Sequence, residues 1–181
     1  MSYRKILLMQ SVEDSITRNR KKKIESNPAV QGCEFAHCYA VELTPVQKMM
    51  VIPLMMELVL QQPFDTKDLA ERLTRQIAEF QPDLFLVHPG FVFQAFTNEV
   101  VAALKIVKAR FPNLKFGLLN SESPFAHIHD DEHFFDDDTE LRGLIEQISI
   151  PLPPIPHEIF IPKECLQWRD WKVWDIGQSL N

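Results

Sequence analysis

The 181-residue sequence has few glycines and few cysteines, and both shortages exclude classes of protein. With only five glycines, it contains neither the GxGxxG nor the GxxxxGK[ST] pattern whose backbone amides surround nucleotide phosphates. Its three cysteines have no CxxC spacing, so they predict neither a disulfide framework nor a zinc ribbon. This cysteine usage favours a reducing compartment.

Long apolar runs and a surplus of basic residues are also missing. The strongest apolar run, residues 49–60, is interrupted by Pro53 and Glu57 and falls well short of the roughly 20 residues that span a bilayer. The opening MSYRKILLMQ is too short an apolar stretch for a secretory signal. A formal net charge of −6 argues against general nucleic-acid binding. We therefore expect a cytoplasmic protein that binds neither membranes nor nucleic acids.

Four short apolar runs, separated by helical patterns, predict an α/β fold. The runs KILLM, CEFAHCYAVEL, LFLVH and KFGLL begin at residues 5, 33, 84 and 115. Three apolar stripes at helical spacing predict helices, namely Leu69, Leu73, Ile77 and Phe80; Val100, Leu104, Val107 and Phe111; and Leu141, Leu144, Ile145 and Ile148. Continuous apolar strands are typical of parallel sheets. We predict one domain over residues 1–149, a three-layer α/β/α sandwich whose mainly parallel, flavodoxin/Rossmann-like sheet has four or five strands.

Two segments differ from this pattern. Thr44, Pro45 and Gln47 combine an N-cap, a first-turn proline and a capping-box glutamine, and they begin a Met-rich helical insertion at about residues 45–62. Residues 150–181 carry closely spaced prolines and three tryptophans, which predict an extended tail that docks on the domain or on a partner. Residues 49–60 and this Trp-containing tail are therefore the candidate surfaces for a homo-oligomer.

Polar residues follow three of the predicted strands. Ser11 follows the first strand, His88 and Gly90 follow the third, and Asn120 and Ser121 follow the fourth. Ligands of open parallel sheets bind beyond the carboxyl ends of the strands, so these residues form a candidate ligand-binding pocket. A histidine at this edge suits proton transfer or ligand contact. The Pro-Gly turn that follows it is equally typical of a histidine with a purely structural part.

The stretch AHIHDDEHFFDDD, residues 126–138, suggests a metal site formed by His127, His129, Asp131 and His133. An HxH pair in extended chain projects both imidazoles to one side, and a carboxylate could complete the site of a divalent metal such as zinc. The spacing resembles the HxHxDH motif of metallo-β-lactamase-type hydrolases, but the last histidine comes one residue later. The alternative is a solvated acidic loop without metal.

The basic run RNRKKK, residues 18–23, is the densest positive charge in the sequence. It lacks interleaved aromatic residues and belongs to an acidic chain. It therefore predicts a solvated helix face or a mobile loop rather than a phosphate-binding surface.

Residues 68–120 resemble the middle of cobalamin-binding-type domains, in which a helix, a PDL-plus-apolar strand, a second helix and a P-x-x-K-apolar strand follow one another. The DxHxxG cobalamin ligand motif of that family is missing, so the resemblance implies the architecture and not the cofactor. Receiver domains of two-component systems are similar in the same strands. Here Gln10, Ser11 and His88 stand where a receiver has its paired acids and phosphoaccepting aspartate, which implies a pseudo-receiver without phosphotransfer.

Three functional hypotheses follow. The first is a non-catalytic regulatory or small-ligand-binding domain that uses the strand-end pocket, since no strong catalytic motif is present. The second is a metal-assisted hydrolase that uses the 127–133 loop, with His88 as a further candidate. The third is an oligomeric assembly subunit that associates through the Met-rich helix or the tail.

Overall fold

The sheet is formed by four strands in a computed structural model that describes residues 3–119, 135–136 and 138–150. The strands are β1 (Lys5–Gln10), β2 (Glu34–Tyr39), β3 (Leu84–Val87) and β4 (Lys115–Leu118). They pair in the order β2-β1-β3-β4, and every pairing is parallel. The α/β class and the parallel sheet predicted from the sequence are confirmed, and the arrangement is consistent with a flavodoxin/Rossmann-like fold.

The described helices are α1 (Ser15–Glu25), α2 (Pro45–Lys48), α3 (Ile52–Gln61), α4 (Thr66–Phe80), α5 (Phe91–Ala95), α6 (Thr97–Arg110) and α7 (Thr139–Ile148). The three apolar stripes found in the sequence lie on α4, α6 and α7, and most of their side chains are buried. The basic run RNRKKK lies on α1, for which the Asp14 carboxylate is the N-cap. The short helix α5 was not predicted, because its five residues are too few for helical periodicity to emerge.

Two apolar cores cover the two faces of the sheet. Leu7 and Met9 of β1 pack into the core that also contains residues of α3, α4, α5 and α6. Ile6 and Leu8 point the opposite way, into a smaller core with residues of α1 and α7. This alternation along β1 is the strand period of two residues, and it gives the three-layer arrangement of helices, sheet and helices.

The parallel register brings the carboxyl ends of β1 and β3 level with each other. Met9 pairs with Val87, and the His88 amide continues the ladder by donating a 2.8 Å hydrogen bond to the Met9 carbonyl. Residues 10 and 88 therefore share one edge of the sheet, as the sequence predicts. Residue 121, which we expected at the same edge, lies outside the described residues.

Helices α2 and α3 occupy the segment predicted as a Met-rich insertion. Thr44 and Gln47 form the expected reciprocal capping box at the start of α2. Met55 and Val59 of α3 are buried in the larger core. The predicted tail lies, apart from Ile150, outside the described residues. Among the helices that the structure describes, none has both the length and the apolar character needed to cross a membrane.

Asp136 pairs with the outer side of β4. Its amide donates a 3.0 Å hydrogen bond to the Phe116 carbonyl, and its carboxylate accepts one of 2.8 Å from the Phe116 amide. The same carboxylate accepts from the Lys108 ammonium at 2.8 Å. Asp136 thereby joins the last described strand to α6.

Candidate functional site

The side chains at the carboxyl ends of β1 and β3 point to two different faces of the sheet. Since Leu8 faces α1, the strand period places the Gln10 side chain on the same face and the Ser11 side chain on the opposite face. Leu86 also belongs to the core with α1 and α7, so His88 follows on the face of Gln10. The predicted strand-end pocket is therefore divided by the sheet.

Ser11 and Gly90 meet on the α5 side. Gly90 is the N-cap of α5 and has no side chain to satisfy the helix amides. The buried Ser11 hydroxyl serves in place of an N-cap side chain, because it accepts a 3.3 Å hydrogen bond from the Val92 amide. A Cβ atom on Gly90 would lie 2.3 Å from Ser11 Oγ, so the close approach requires glycine. This geometry gives both residues a structural part, and their contact with a ligand stays a prediction.

Gln10 is almost fully buried on the α1 side, with 1% of its surface exposed. Its Nε2 donates a 3.3 Å hydrogen bond to the Thr17 carbonyl of α1, which fixes the orientation of the amide. The other end of the amide, Oε1, is buried without a hydrogen-bond partner in the described part of the chain. A buried acceptor in this condition loses its hydration without compensation, which usually destabilises a fold by about 1–3 kcal/mol.

His88 shares this condition. The residue is 7% exposed, and its ring Nε2 is buried without a partner among the residues that the structure describes. Burial, with a smaller repulsion from the Arg20 guanidinium, lowers the pKa of His88 to about 3 against the opposing effect of nearby backbone groups. The imidazole is therefore neutral at physiological pH and available as a hydrogen-bonding group.

Arg20 completes the group of polar residues on this face. It lies on α1 at three residues from Thr17 and four from Ile24, both of which are buried against the sheet. Arg20 and Lys21 are partly buried, whereas Arg18, Lys22 and Lys23 of the same basic run are exposed. The helix expected from the sequence is present and its basic face is exposed at three of the five basic residues, while the position of Arg20, between Thr17 and Ile24, turns it toward the sheet.

Two further buried atoms lack partners among the residues that the structure describes, and neither lies at the carboxyl end of a strand. His37 Nδ1 lies within the outer strand β2, in register with Leu8 and therefore also on the α1 side, and the other ring nitrogen is 2.7 Å from Glu25 Oε1 of α1. Gln76 Oε1 lies on α4, on the opposite face of the sheet. Within the described ranges, Gln10 Oε1 and His88 Nε2 are the two such atoms at the carboxyl ends of paired strands, whereas His37 pairs with Leu8, two residues before Gln10.

The other predicted site residues cannot be placed. Asn120, Ser121, His127, His129, Asp131 and His133 lie outside the described residues. Within residues 3–119 and the described parts of 135–150, no group of three or more His, Cys, Asp or Glu residues could hold a metal ion. The zinc hypothesis for the 127–133 loop remains a prediction.

Two grooves lie away from this site. One of about 840 Å³ runs along the amino edge of the sheet, where Tyr3, Asp83 and Leu114 precede three of the strands. The Asp83 carboxylate there already accepts from the amides of Arg4 and Lys5, each at 2.9 Å. A smaller groove of about 220 Å³ lies between the end of β2 and the segment linking α3 to α4.

Comparison of this chain with family models, curated proteins and solved structures finds no match. The resemblances to cobalamin-binding-type and receiver domains accordingly remain predictions about architecture.

Proposed function

We propose that this chain is a non-catalytic domain that binds a small ligand at the α1 side of its strand ends. The observation that carries the proposal is the pair of buried, unpartnered atoms, Gln10 Oε1 and His88 Nε2, at the carboxyl ends of adjacent strands of the described structure. Buried polar atoms are nearly always paired in folded proteins. A ligand that hydrogen-bonds to both atoms would supply the missing partners.

The state of His88 supports binding rather than acid–base catalysis. General acids and bases work best when their pKa lies near the operating pH. The pKa of His88, about 3, makes the ring a weak base at neutral pH. A neutral imidazole at a strand end is well suited to orienting a ligand, and a regulatory domain of the pseudo-receiver kind would need no more than this.

The test is a thermal-shift and ligand-observed NMR screen of the full chain against small metabolites. Hits should lose their effect in His88→Phe, which fills the space but removes both ring nitrogens. His37→Phe is the matched control, because it removes another largely buried histidine from the sheet. A screen without hits, or hits that are equally sensitive to both substitutions, would contradict the proposal.

A second candidate function, assembly into a homo-oligomer, is favoured by the surface of α2 and α3. Val46, Met49, Val51 and Leu54 are 64%, 88%, 71% and 44% exposed. Several large apolar side chains close together on a surface are typical of an interaction site. Sedimentation should give a dimer or larger species that dissociates in a Met49→Gln, Val51→Gln variant and persists in Ile106→Gln, which removes an exposed apolar residue from α6. A monomer at high concentration would remove this candidate.

A further inference from the structure

Within the described residues, the charge of Arg20 lacks the partners that another partly buried arginine, Arg72, has. The side chain of Arg72 is 13% exposed, and its guanidinium lies 2.7 Å from Asp68 and 3.6 Å from Glu42. It also donates to the carbonyls of Tyr39 and Ala40 at 3.0 Å. Arg20 has no ion pair or hydrogen bond of its guanidinium with any residue of the described ranges. Burial lowers the pKa of Arg20, and the charge of Asp14 opposes this.

Arg20, Gln10 and His88 lie on one face of the sheet. Gln10 contacts α1 through the Thr17 carbonyl, three residues before Arg20. The Arg20 charge is close enough to His88 to disfavour its protonation. Among the described residues, this corner of the fold thus brings together a cation without a partner, a buried acceptor oxygen and a neutral imidazole. A charged side chain that is partly removed from water normally has a partner, because desolvation would otherwise be unfavourable.

We propose that the ligand is a small hydroxylated oxyanion, whose carboxylate or phosphate pairs with Arg20 and whose hydroxyl donates to Gln10 Oε1. This inference rests on the proposed function and adds the chemical class of the ligand. The planar guanidinium matches the two oxygens of a carboxylate or phosphate. The oxyanion itself cannot satisfy Gln10 Oε1, since that oxygen only accepts, and the ligand therefore also needs a donor. His88 Nε2, at the end of the adjacent strand, is a second buried atom without a described partner.

The experiment measures binding by isothermal titration and NMR shift perturbation on the full chain, with five probes. Inorganic phosphate and glycerol 3-phosphate represent the phosphate source, and succinate and L-malate the carboxylate source. Malate differs from succinate by a single hydroxyl. Glycerol is the uncharged control. We expect glycerol 3-phosphate, malate or both to bind, each more tightly than its matching probe, inorganic phosphate or succinate. Binding should perturb the NMR signals of α1 and of the carboxyl ends of β1 and β3.

The variants separate Arg20 from general positive charge. Arg20→Gln should weaken binding by about tenfold or more, and Arg20→Lys should retain part of it, because lysine keeps the charge and loses the planar fork. Arg18→Gln is the matched control, with the same loss of charge at an exposed position of α1, and should change affinity less than about twofold. Gln10→Leu should abolish the preference for malate over succinate. Melting curves verify folding. If Arg20→Gln does not fold, the two single variants Arg20→Lys and Gln10→Leu test the inference in its place.

Three results would overturn the inference. Equal weakening by Arg18→Gln and Arg20→Gln would indicate diffuse attraction to the basic helix. Failure of all four anionic probes, together with a neutral screening hit that requires His88, would overturn the oxyanion and leave the proposed function intact. Failure of the anions and of the whole screen would overturn both.

Discussion

The two sides of the strand-end edge differ in how completely their polar groups are paired. On the α5 side, the Ser11 hydroxyl accepts from the Val92 amide, and Gly90 packs directly against it. On the α1 side, Gln10 and His88 are buried just as deeply, but each keeps an atom without a partner in the described structure.

This difference separates groups that stabilise the fold from groups that are free to bind. A serine whose hydroxyl accepts a hydrogen bond and a glycine packed against it contribute to stability, and replacing them should destabilise the protein. Unpaired atoms lower stability, and their retention is understandable if a ligand completes them. The following predictions test the two sides against each other.

The largest effect should be on the α1 side, where His88 makes the folding stability of the protein sensitive to acid. The folded pKa of His88, about 3, lies below its ordinary value of 6.5. As the pH falls through this window, the unfolded chain takes up a proton and the folded protein does not, so folding stability falls. The loss approaches about 1.4 kcal/mol per pH unit for one group.

His88→Gln removes this contribution. Denaturant unfolding between pH 7 and pH 4 should show the variant losing stability less steeply than the wild type, by about 3 kcal/mol over the range. Contributions of the carboxylates cancel in the difference. Parallel stability curves for the two proteins would show that His88 is not held neutral in the folded state.

On the paired side, Gly90→Ala should destabilise the fold by about 1–3 kcal/mol, because the new Cβ would overlap Ser11 Oγ at 2.3 Å. Gly143→Ala is the control, since a Cβ added there in α7 would have no atom within 4 Å, and helix propensity should stabilise the variant by up to about 1 kcal/mol. The double variant Ser11→Gly, Gly90→Ala should recover part of the loss in a thermal melt. A Gly90→Ala protein as stable as the wild type would mean that Ser11 can move away from the new Cβ at little cost in free energy.

The smallest expected effect is the difference in stability between variants of the neighbouring residues Ser11 and Gln10. Ser11→Ala removes the acceptor of the Val92 amide and should destabilise the protein by about 1 kcal/mol. Gln10→Leu removes an unpaired atom together with one 3.3 Å hydrogen bond, so its free energy of unfolding should change by less than about 1 kcal/mol. Chemical denaturation of both variants measures the contrast. A larger loss for Gln10→Leu than for Ser11→Ala would reverse the comparison.

Much of the fold could be predicted because its strands are apolar on both faces. The runs at β1, β3 and β4 have this property, and the residues after them could be assigned to one edge from the parallel arrangement alone. What the sequence could not supply was the face on which each of these residues lies. That depends on where the strand ends to within one residue, since a shift by one moves a side chain across the sheet.

The sequence places both Gln10 and Ser11 at this edge, and only the structure shows that Gln10 is the one on the same face as His88. Arg20 was missed for another reason. The sheet-facing positions of α1 are Thr17, Arg20 and Ile24, of which only the last is apolar, so no hydrophobic stripe marks the buried side. In a run of five basic residues, nothing local distinguishes the one that turns inward.

The pairing of Asp136 with Phe116 limits how this sheet could grow. Both backbone groups of Phe116 that face outward are engaged, so a strand arriving beside β4 would first have to displace Asp136. The other edge of the sheet that the described strands form is β2, so strand addition would be directed to that side. Two copies that joined through β2 would form a closed dimer related by a twofold axis. A fibre needs an open sheet edge on both sides of each copy, so growth would stop at the dimer.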